Sequence, residues 1–362
     1  MPNSAGPLAG YRIVEVAGIG PGPFAAMMLA DMGAEVIRVE RTQAVRGPAP
    51  SEPNFDVLLR GRRNIAIDLK NPDGVEALLL LIERADALIE GFRPGVMERL
   101  GVGPEICLRR NPKLVFGRIT GWGQHGPLSG ASGHDINYIS LAGALAHFAR
   151  PGEAPMPPLN MVGDFGGGGM LLAFGVVCAL LEAQKSGKGQ VIDAAMVDGV
   201  AILMSMFWAF RQIGHFNENE PGTNLLDTGA HFYDVYKCLD EKYVSIGSIE
   251  PKFYQVLLEK TGLANDPLFS QQMDSMRWPT LKVRLAEVML TKTSSEWCAL
   301  MEGTDVCFAP VLTMGQAAKH QHNVERKTFI DIAGVTQPAP APRFSRTPNA
   351  PPTPPAHPGQ HS

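Results

Sequence analysis

Short valine- and isoleucine-rich runs alternate along the first half of this chain with longer stretches of helical pattern. Residues 11–17 (YRIVEVA) and 34–40 (AEVIRVE) read as strands. Between them GIGPGP, at 18–23, is a turn and 24–32 a short helix. Strand, helix and strand in that order make a βαβ unit and predict a parallel sheet. Residues 58–70 (LLRGRRNIAIDLK) carry Arg60, Arg62 and Arg63 ahead of a third strand, after a loop that follows Arg41. Asn71-Pro72-Asp73 opens a helix through residue 84, 87–90 is a short strand, and 113–120 (KLVFGRIT) is another. Residues 170–184 are apolar nearly all round, which predicts a buried helix, closed by the turn at 186–189. A strand at 190–195 and a long Met-rich helix over 198–214 follow. Met204 and Met206 suit either a gap-filling core or a face for varied acyl tails.

The pattern changes near Glu218. Residues 219–229 are polar and Gly-containing, a linker. Residues 231–246 read as a hairpin turning at Asp240-Glu241, followed by a helix starting near Lys252, two or three helices within 263–301, and a strand-like run at 306–312. This is a second, α+β domain. The expected division is a large α/β domain at 1–195 completed by 328–362, a linker helix and loop at 196–227, a small domain at 228–312, and a return linker at 313–327. The segment 338–362 holds nine prolines and is expected to be irregular or extended.

Composition narrows the function classes. With 362 residues, 45% hydrophobic and 19% charged, the chain has enough apolar content for a soluble core and about two domains. A net charge of −4 supplies no basic field for nucleic acid. Cys107, Cys178, Cys238, Cys298 and Cys307 form no CxxC pair and read as reduced thiols of a cytoplasmic protein. The first residues lack a signal-peptide pattern, the apolar run at 170–181 is short for a bilayer, and the last residues match no prenylation or peroxisomal signal. No membrane partner is expected.

Candidate chemistry comes from three places. Residues 20–25 spell G-x-G-x-x-A, the letters of a dinucleotide fingerprint. Pro21 and Pro23 lack the N–H groups that such a turn offers a pyrophosphate, so it reads better as a tight turn. Arginines recur at the ends of the first strands, where an open α/β sheet binds ligands, and point to an anion such as a nucleotide phosphate. The segment 121–169 holds His134-Asp135 before an apolar run and Asp164 before four glycines. Both look like helix starts, which suit an ionised carboxylate or a developing oxyanion. Taken singly, the two aspartates read as caps and His134 as a surface residue; it is their company that points to chemistry.

The motifs VEVAGIGPGPFAAMMLADMGAEVIRVER, IAIDLK, EGFRPGVMERLG, TGWGQHGP, GHDINYISLAGAL, NMVGDFGGGGM, GKGQVIDAAMVDG and PAPRFSRTP resemble the family III CoA-transferase (CaiB/BaiF) superfamily, and within it most the α-methylacyl-CoA racemases. The resemblance covers essentially the whole chain. It implies a Rossmann-like CoA-binding large domain, a small domain, and an interlocked homodimer with active sites between unlike domains of the two subunits. Transferases of this superfamily use the aspartate of a G-x-D motif, here Asp135, as nucleophile. They carry an aromatic residue before it, a Gln-Ala pair downstream, and often a Gly-rich loop in the small domain. This chain has His134 and Ile139-Ser140 at those places and no Gly-rich run after Gly247, which favours the racemase.

The resemblance then assigns His134 and Asp164 as the two bases and Glu250, in GSIEP, as the group contacting the histidine. It sets His134 toward the S epimer and Asp164 toward the R epimer of a 2-methyl-branched acyl-CoA, with Asn160 steadying Asp164. For substrate and CoA it points to Ile19, Arg41, Ile67, Asp68, Leu69, Lys70, Gly91, Phe92, Arg93, Arg99, Gly133, Asp135, Ile136, Asn137 and Tyr138. Inversion next to a thioester needs a base on each face and donors for the enolate oxygen, and no metal or organic cofactor is expected. A transferase acting through an Asp135 anhydride and a non-enzymatic acyl-CoA binder are the alternatives.

Overall fold

The computed structural model describes residues 5–45 and 55–362; residues 46–54 of the loop expected after Arg41 lie outside it. The chain divides into two compact units, Met1–Ala144 with Pro158–Met204 and His322–Ser362, and Leu145–Pro157 with Ser205–Gln321.

In the first unit the β-branched runs become strands, and Pro- or Gly-led segments start the helices between them. The order is β1 (Arg12–Val16), α1 (Pro21–Asp31), β2 (Glu35–Glu40), β3 (Arg62–Ala66), α2 (Pro72–Ile82), β4 (Ala87–Glu90), α3 (Val96–Arg99), α4 (Pro104–Arg110), β5 (Val115–Thr120), α5 (Asp135–Leu141), α6 (Leu171–Ser186), β6 (Gln190–Ala195) and α7 (Met196–Leu203). The six strands form one parallel sheet in the order β3-β2-β1-β4-β5-β6. Alternate side chains feed two cores. Ile13, Val36, Ala87 and Val115 pack with residues of α1 and α6, whereas Val14, Val39, Leu88 and Phe116 pack with α2 and with Cys107 of α4. Strand order reverses between β1 and β4, which opens a crevice at the carboxyl edge of the sheet.

Several strand-end arginines are structural, which corrects their reading as anion ligands. Arg38 and Arg62 both pair with Glu15, Arg60 pairs with Asp31 at 2.6 Å, and Arg118 pairs with Glu90 at 2.8 Å. All four arginines are nearly fully buried. Such charges are tolerated inside only when paired.

The glycine run also differs from expectation. Asp164 caps no helix: it lies inside a π-helix, Met161–Met170, that leads directly into α6. The glycines serve close packing. A Cβ on Gly167 would sit 2.7 Å from the Val200 nitrogen, on Gly168 2.8 Å from Met196, and on Gly169 2.7 Å from Phe24. In return, a Cβ on Gly199 of α7 would lie 1.8 Å from the Gly167 carbonyl oxygen. The helical run Met161–Ser186 has 26 residues and mean hydropathy 1.8, long and apolar enough by those measures to cross a membrane, unlike the shorter run read from sequence. Here Leu172, Ala173, Val176, Ala179 and Leu180 face the core beside β5 and β6.

The long helix expected over 198–214 is two, α7 and α8 (Ser205–Gln212). The second unit then builds a three-stranded antiparallel sheet from β7 (Tyr233–Lys237), β8 (Tyr243–Gly247) and β9 (Phe308–Pro310), with α9 (Pro251–Thr261), α10 (Trp278–Met289) and α11 (Ser294–Met301). Phe232, Tyr254, Leu257, Phe269, Leu285 and Trp297 make its core. Residues 145–157 and 205–227 belong to this unit, not to the first domain and a linker. The reason is ionic and aromatic: Arg150 pairs with buried Asp234 at 2.8 Å, and the His147 ring meets Phe216 at 4.8 Å.

The C-terminal stretch starts with a hairpin, β10 (Phe329–Ile332) and β11 (Val335–Pro338), and ends on the outer edge of β3. Asn64 N–H donates to His361 Nδ1 at 3.1 Å, and Ala66 N–H to Ser362 Oγ at 2.9 Å. The Pro-rich segment is irregular, yet it satisfies donors that an edge strand leaves open.

Close backbone packing should make Gly199 intolerant of a methyl group. Gly199→Ala is expected to lower unfolding free energy by about 2–3 kcal/mol through overpacking. Chemical denaturation measures it, and a loss under about 0.5 kcal/mol, within the range of a neutral surface change, would refute the packing account.

Candidate active site

Turns after β1, β4 and β5 meet the start of α5 and the π-helix at a cleft of about 610 Å³. Parallel strands deliver their carboxyl ends to this edge, so residues distant in sequence converge on it. Nine of the residues singled out by sequence line the cleft: Ile19, Gly91, Phe92, Arg93, Gly133, His134, Tyr138, Asn160 and Asp164.

His134 is the N-cap of α5, in extended conformation, and its side chain is exposed. Its N–H donates to Asn137 Oδ1 at 3.0 Å, while its carbonyl accepts from Asn137 N–H at 2.8 Å. The imidazole is therefore carried on a backbone locked from both sides. Tyr138 supports this turn from below: its hydroxyl donates to the Gly133 carbonyl and its ring meets Trp122 edge-on at 4.8 Å. Gly121 is required there, because a Cβ would lie 2.0 Å from the Tyr138 ring. Burial pushes the Tyr138 phenol above its usual range, so it stays a neutral donor. Ile136 and Asn137 follow on the exposed face of α5.

Asp164 is half-buried. Asn160 Nδ2 donates to its Oδ2 at 3.0 Å, and the lack of a side chain at Gly20 leaves room beside the same oxygen, where a Cβ would come within 3.5 Å. Burial raises its pKa, assisted by the negative charge of Asp135; the Asn160 bond and His134 pull the other way. A carboxyl held above its ordinary range is a better proton acceptor at neutral pH than a solvated one. Asp135 differs from both. It is the first residue of α5, 6% exposed, and its Oδ1 accepts the Asp164 backbone N–H at 2.7 Å. It is neither a cap nor presented for attack.

Arg41, Arg93 and Arg99 remain for anions. Arg93 donates to Ser132 Oγ at 2.6 Å, and Arg99, at the end of α3, is exposed; neither has a carboxylate within ion-pair distance among the described residues. The carboxylate next to Arg99, Glu98, is taken by Arg118 at 2.8 Å. Arg41 follows β2, and Ile67, Asp68, Leu69 and Lys70 follow β3, so they share the carboxyl edge without lining the cleft. Lys70 N–H donates to Asp68 Oδ1 at 3.0 Å, which shapes that turn. Glu250 belongs to the second unit, as the N-cap of α9. Sequence reasoning did not single out Trp122, Ser132 or Met196, which line the cleft, and it read Gly20, which also lines it, only as part of a tight turn. Trp122 lies within the quoted TGWGQHGP motif and Ser132 directly precedes GHDINYISLAGAL, the signal that could have found them. Among the described residues no group of three or more His, Cys, Asp or Glu side chains is placed to hold a metal ion.

Residues 8–362 match the family described as CoA-transferase family III. The mouse α-methylacyl-CoA racemase is 48% identical over 345 residues, 95% of this chain and 88% of that one. The human α-methylacyl-CoA racemase is 44% identical over 347 residues, with the same shares. A CaiB/BaiF family protein from Brucella suis, 23% identical, superposes with a TM-score of 0.84 over 99% of this chain and 97% of that one, which shows the fold.

Two measurements test the site. The native Asp164 carboxyl has a raised pKa, so it binds its proton more tightly folded than unfolded. Its stabilising contribution is present below the unfolded pKa and is lost as pH rises through the folded one. Asp164→Asn should therefore melt higher than wild type at neutral pH, with the gap closing toward pH ~4, near the unfolded carboxyl value. A gap independent of pH contradicts the burial account. Arg99→Ala should weaken affinity for a CoA thioester by about 2–3 kcal/mol, the scale of a charge-assisted hydrogen bond and its unpaired partner, with the melting temperature unchanged. Equal affinity in calorimetry removes Arg99 from the site.

Proposed function

Because this chain belongs to CoA-transferase family III, we propose that it is an α-methylacyl-CoA racemase, interconverting (2R)- and (2S)-2-methylacyl-CoA thioesters. The observation that carries the reading is that His134 and Asp164, two groups able to exchange protons, face one cleft whose rim bears Arg93. In one direction a neutral His134 takes the α proton and a protonated Asp164 returns one to the opposite face; in the other direction the roles reverse. The negative charge formed between these steps rests on the thioester oxygen. The Asp135 N–H, first in α5 and without an intrahelical partner, is a donor suited to it. The proton, not a group, is transferred, so no acceptor acid is required. The transferase alternative is disfavoured by Asp135 itself: a nucleophile needs a free, accessible oxygen, and this carboxylate is buried with Oδ1 engaged.

We further propose a homodimer. Met161, Met170, Phe174 and Leu181 expose an apolar stripe along the π-helix and α6, which a second copy would cover. In that assembly Glu250 from a second copy would orient His134. Free thiols at all five cysteines favour a reducing compartment, for which we propose the cytoplasm.

Incubation of pure protein with one 2-methylacyl-CoA epimer should yield both epimers on chiral analysis; an unchanged epimer rejects the reading. His134→Ala should nearly abolish epimerisation in both directions, since each direction uses both groups. It should still exchange the α proton with deuterium oxide from the epimer served by Asp164, with retention and a loss of about 10²–10⁴ in rate. Asp164→Ala should show the mirror pattern. Equal exchange of both epimers by both variants would instead indicate a single mobile base.

A further inference from the structure

Asp135 stands between the two bases in an unusual way. Through the chain it is the neighbour of His134, and through space its Oδ1 accepts the backbone N–H of Asp164 at 2.7 Å. The contact depends on Gly163, where a Cβ would lie 2.5 Å from that oxygen. The second oxygen, Oδ2, is buried and has no hydrogen-bond partner. An acceptor left unsatisfied in the interior is costly, so its retention needs an explanation beyond holding a turn. An alanine or asparagine could occupy the position without stranding a charge there.

We propose that the side chain of Asp135 is a positioning residue that couples the two bases: it holds the Asp164 turn in register with His134, and its solvent-shielded charge makes Asp164 a stronger proton acceptor. This rests on the racemase reading above and adds a role for a carboxylate that the two-base scheme leaves unused. The charges facing Asp164 are few. From α5 come His134, Asp135 and Tyr138; Arg93 follows β4; Asp198 of α7 is exposed; the Gly20-Pro21 turn at the start of α1 carries none; and Asn160 is a neutral donor. Asp135 is the buried anion in this set and is bound to the Asp164 backbone. An anion close by and shielded from water acts at low effective dielectric, where it favours retention of a proton by its neighbour.

Three proteins test this: wild type, Asp135→Asn and Asp135→Ala. Asparagine keeps an acceptor near Oδ1 and removes the charge, whereas alanine removes both. The pH profile of kcat/KM for epimerisation is bell-shaped when one proton is shared between two groups, and its limbs belong to the pair. In Asp135→Asn the acidic limb should move to lower pH. In Asp135→Ala the limb should move likewise, and kcat should fall on the order of 10²-fold, as for a catalytic group displaced by about 1 Å. An Asp135→Asn limb that stays in place overturns the charge role, and an Asp135→Ala kcat equal to wild type overturns the positioning role. Should a variant not turn over, titration of the Asp164 carboxyl by NMR of 13C-aspartate-labelled protein reads the same quantity. Its resonance is assigned by its loss in Asp164→Asn, and an unmoved titration midpoint also overturns the proposal. Wild-type protein that does not epimerise rejects the racemase reading and this coupling together. Active wild type with unmoved limbs rejects the coupling alone.

Discussion

Backbone contact without intervening side chains is the constraint on which this site depends. The π-helix Met161–Met170 touches α1, α5 and α7 at distances that only glycine permits: Gly163 against Asp135, Gly167 against Gly199 and Val200, Gly169 against Phe24. Three neighbours so close fix the path of the turn that carries Asp164. A helix of wider gauge would normally be a weak element. Here it is clamped, and the clamp sets where a proton acceptor stands relative to His134. Local sequence, packing and chemistry are thus linked through a few missing methyl groups.

Charge is arranged on the same logic at two depths. Within the sheet, Glu15 accepts both Arg38 and Arg62, tying β1 to β2 and β3. Removing Glu15 would leave buried Arg62 without its ion-pair partner and Arg38 with Glu40 alone, at a cost of about 3–5 kcal/mol for a broken buried pair. At the carboxyl edge, by contrast, Arg93 and Arg99 keep their charge for solvent or ligand. The inner pairs hold the strand ends steady, and the outer arginines are left without a carboxylate partner among the described residues.

Much of this was legible in the chain itself. Valine-rich runs alternating with helices predicted the parallel sheet, and the carboxyl-edge rule placed the cleft. His134 and Asp164 stood out by company and motif. What sequence could not separate was burial: Arg38 and Arg93 carry the same letter, and only packing tells an internal pair from an open fork. Nor could it distinguish a cap from a long-range bond at Asp135, since one carboxylate satisfies either kind of N–H. DFGGGG read as a loop entering a helix because glycine lowers helix propensity, while tertiary contacts won here. Residues 145–157 changed unit through an ion pair spanning 84 positions, Arg150 with Asp234, which no local window detects.

The docking of the C-terminal residues onto β3 has a consequence for how the fold is reached. Asn64 waits for Gly359 and His361, partners nearly 300 positions later in the chain. During synthesis β3 can pair with β2 early, but its outer N–H groups stay open until the final stretch has emerged. Contacts of such long sequence separation form slowly. In that interval β3 is an unpaired ribbon edge, able to recruit a strand from another nascent chain. The proline-rich approach to this edge is poorly suited to forming a competing strand itself. It can therefore arrive late and close the sheet without extending it.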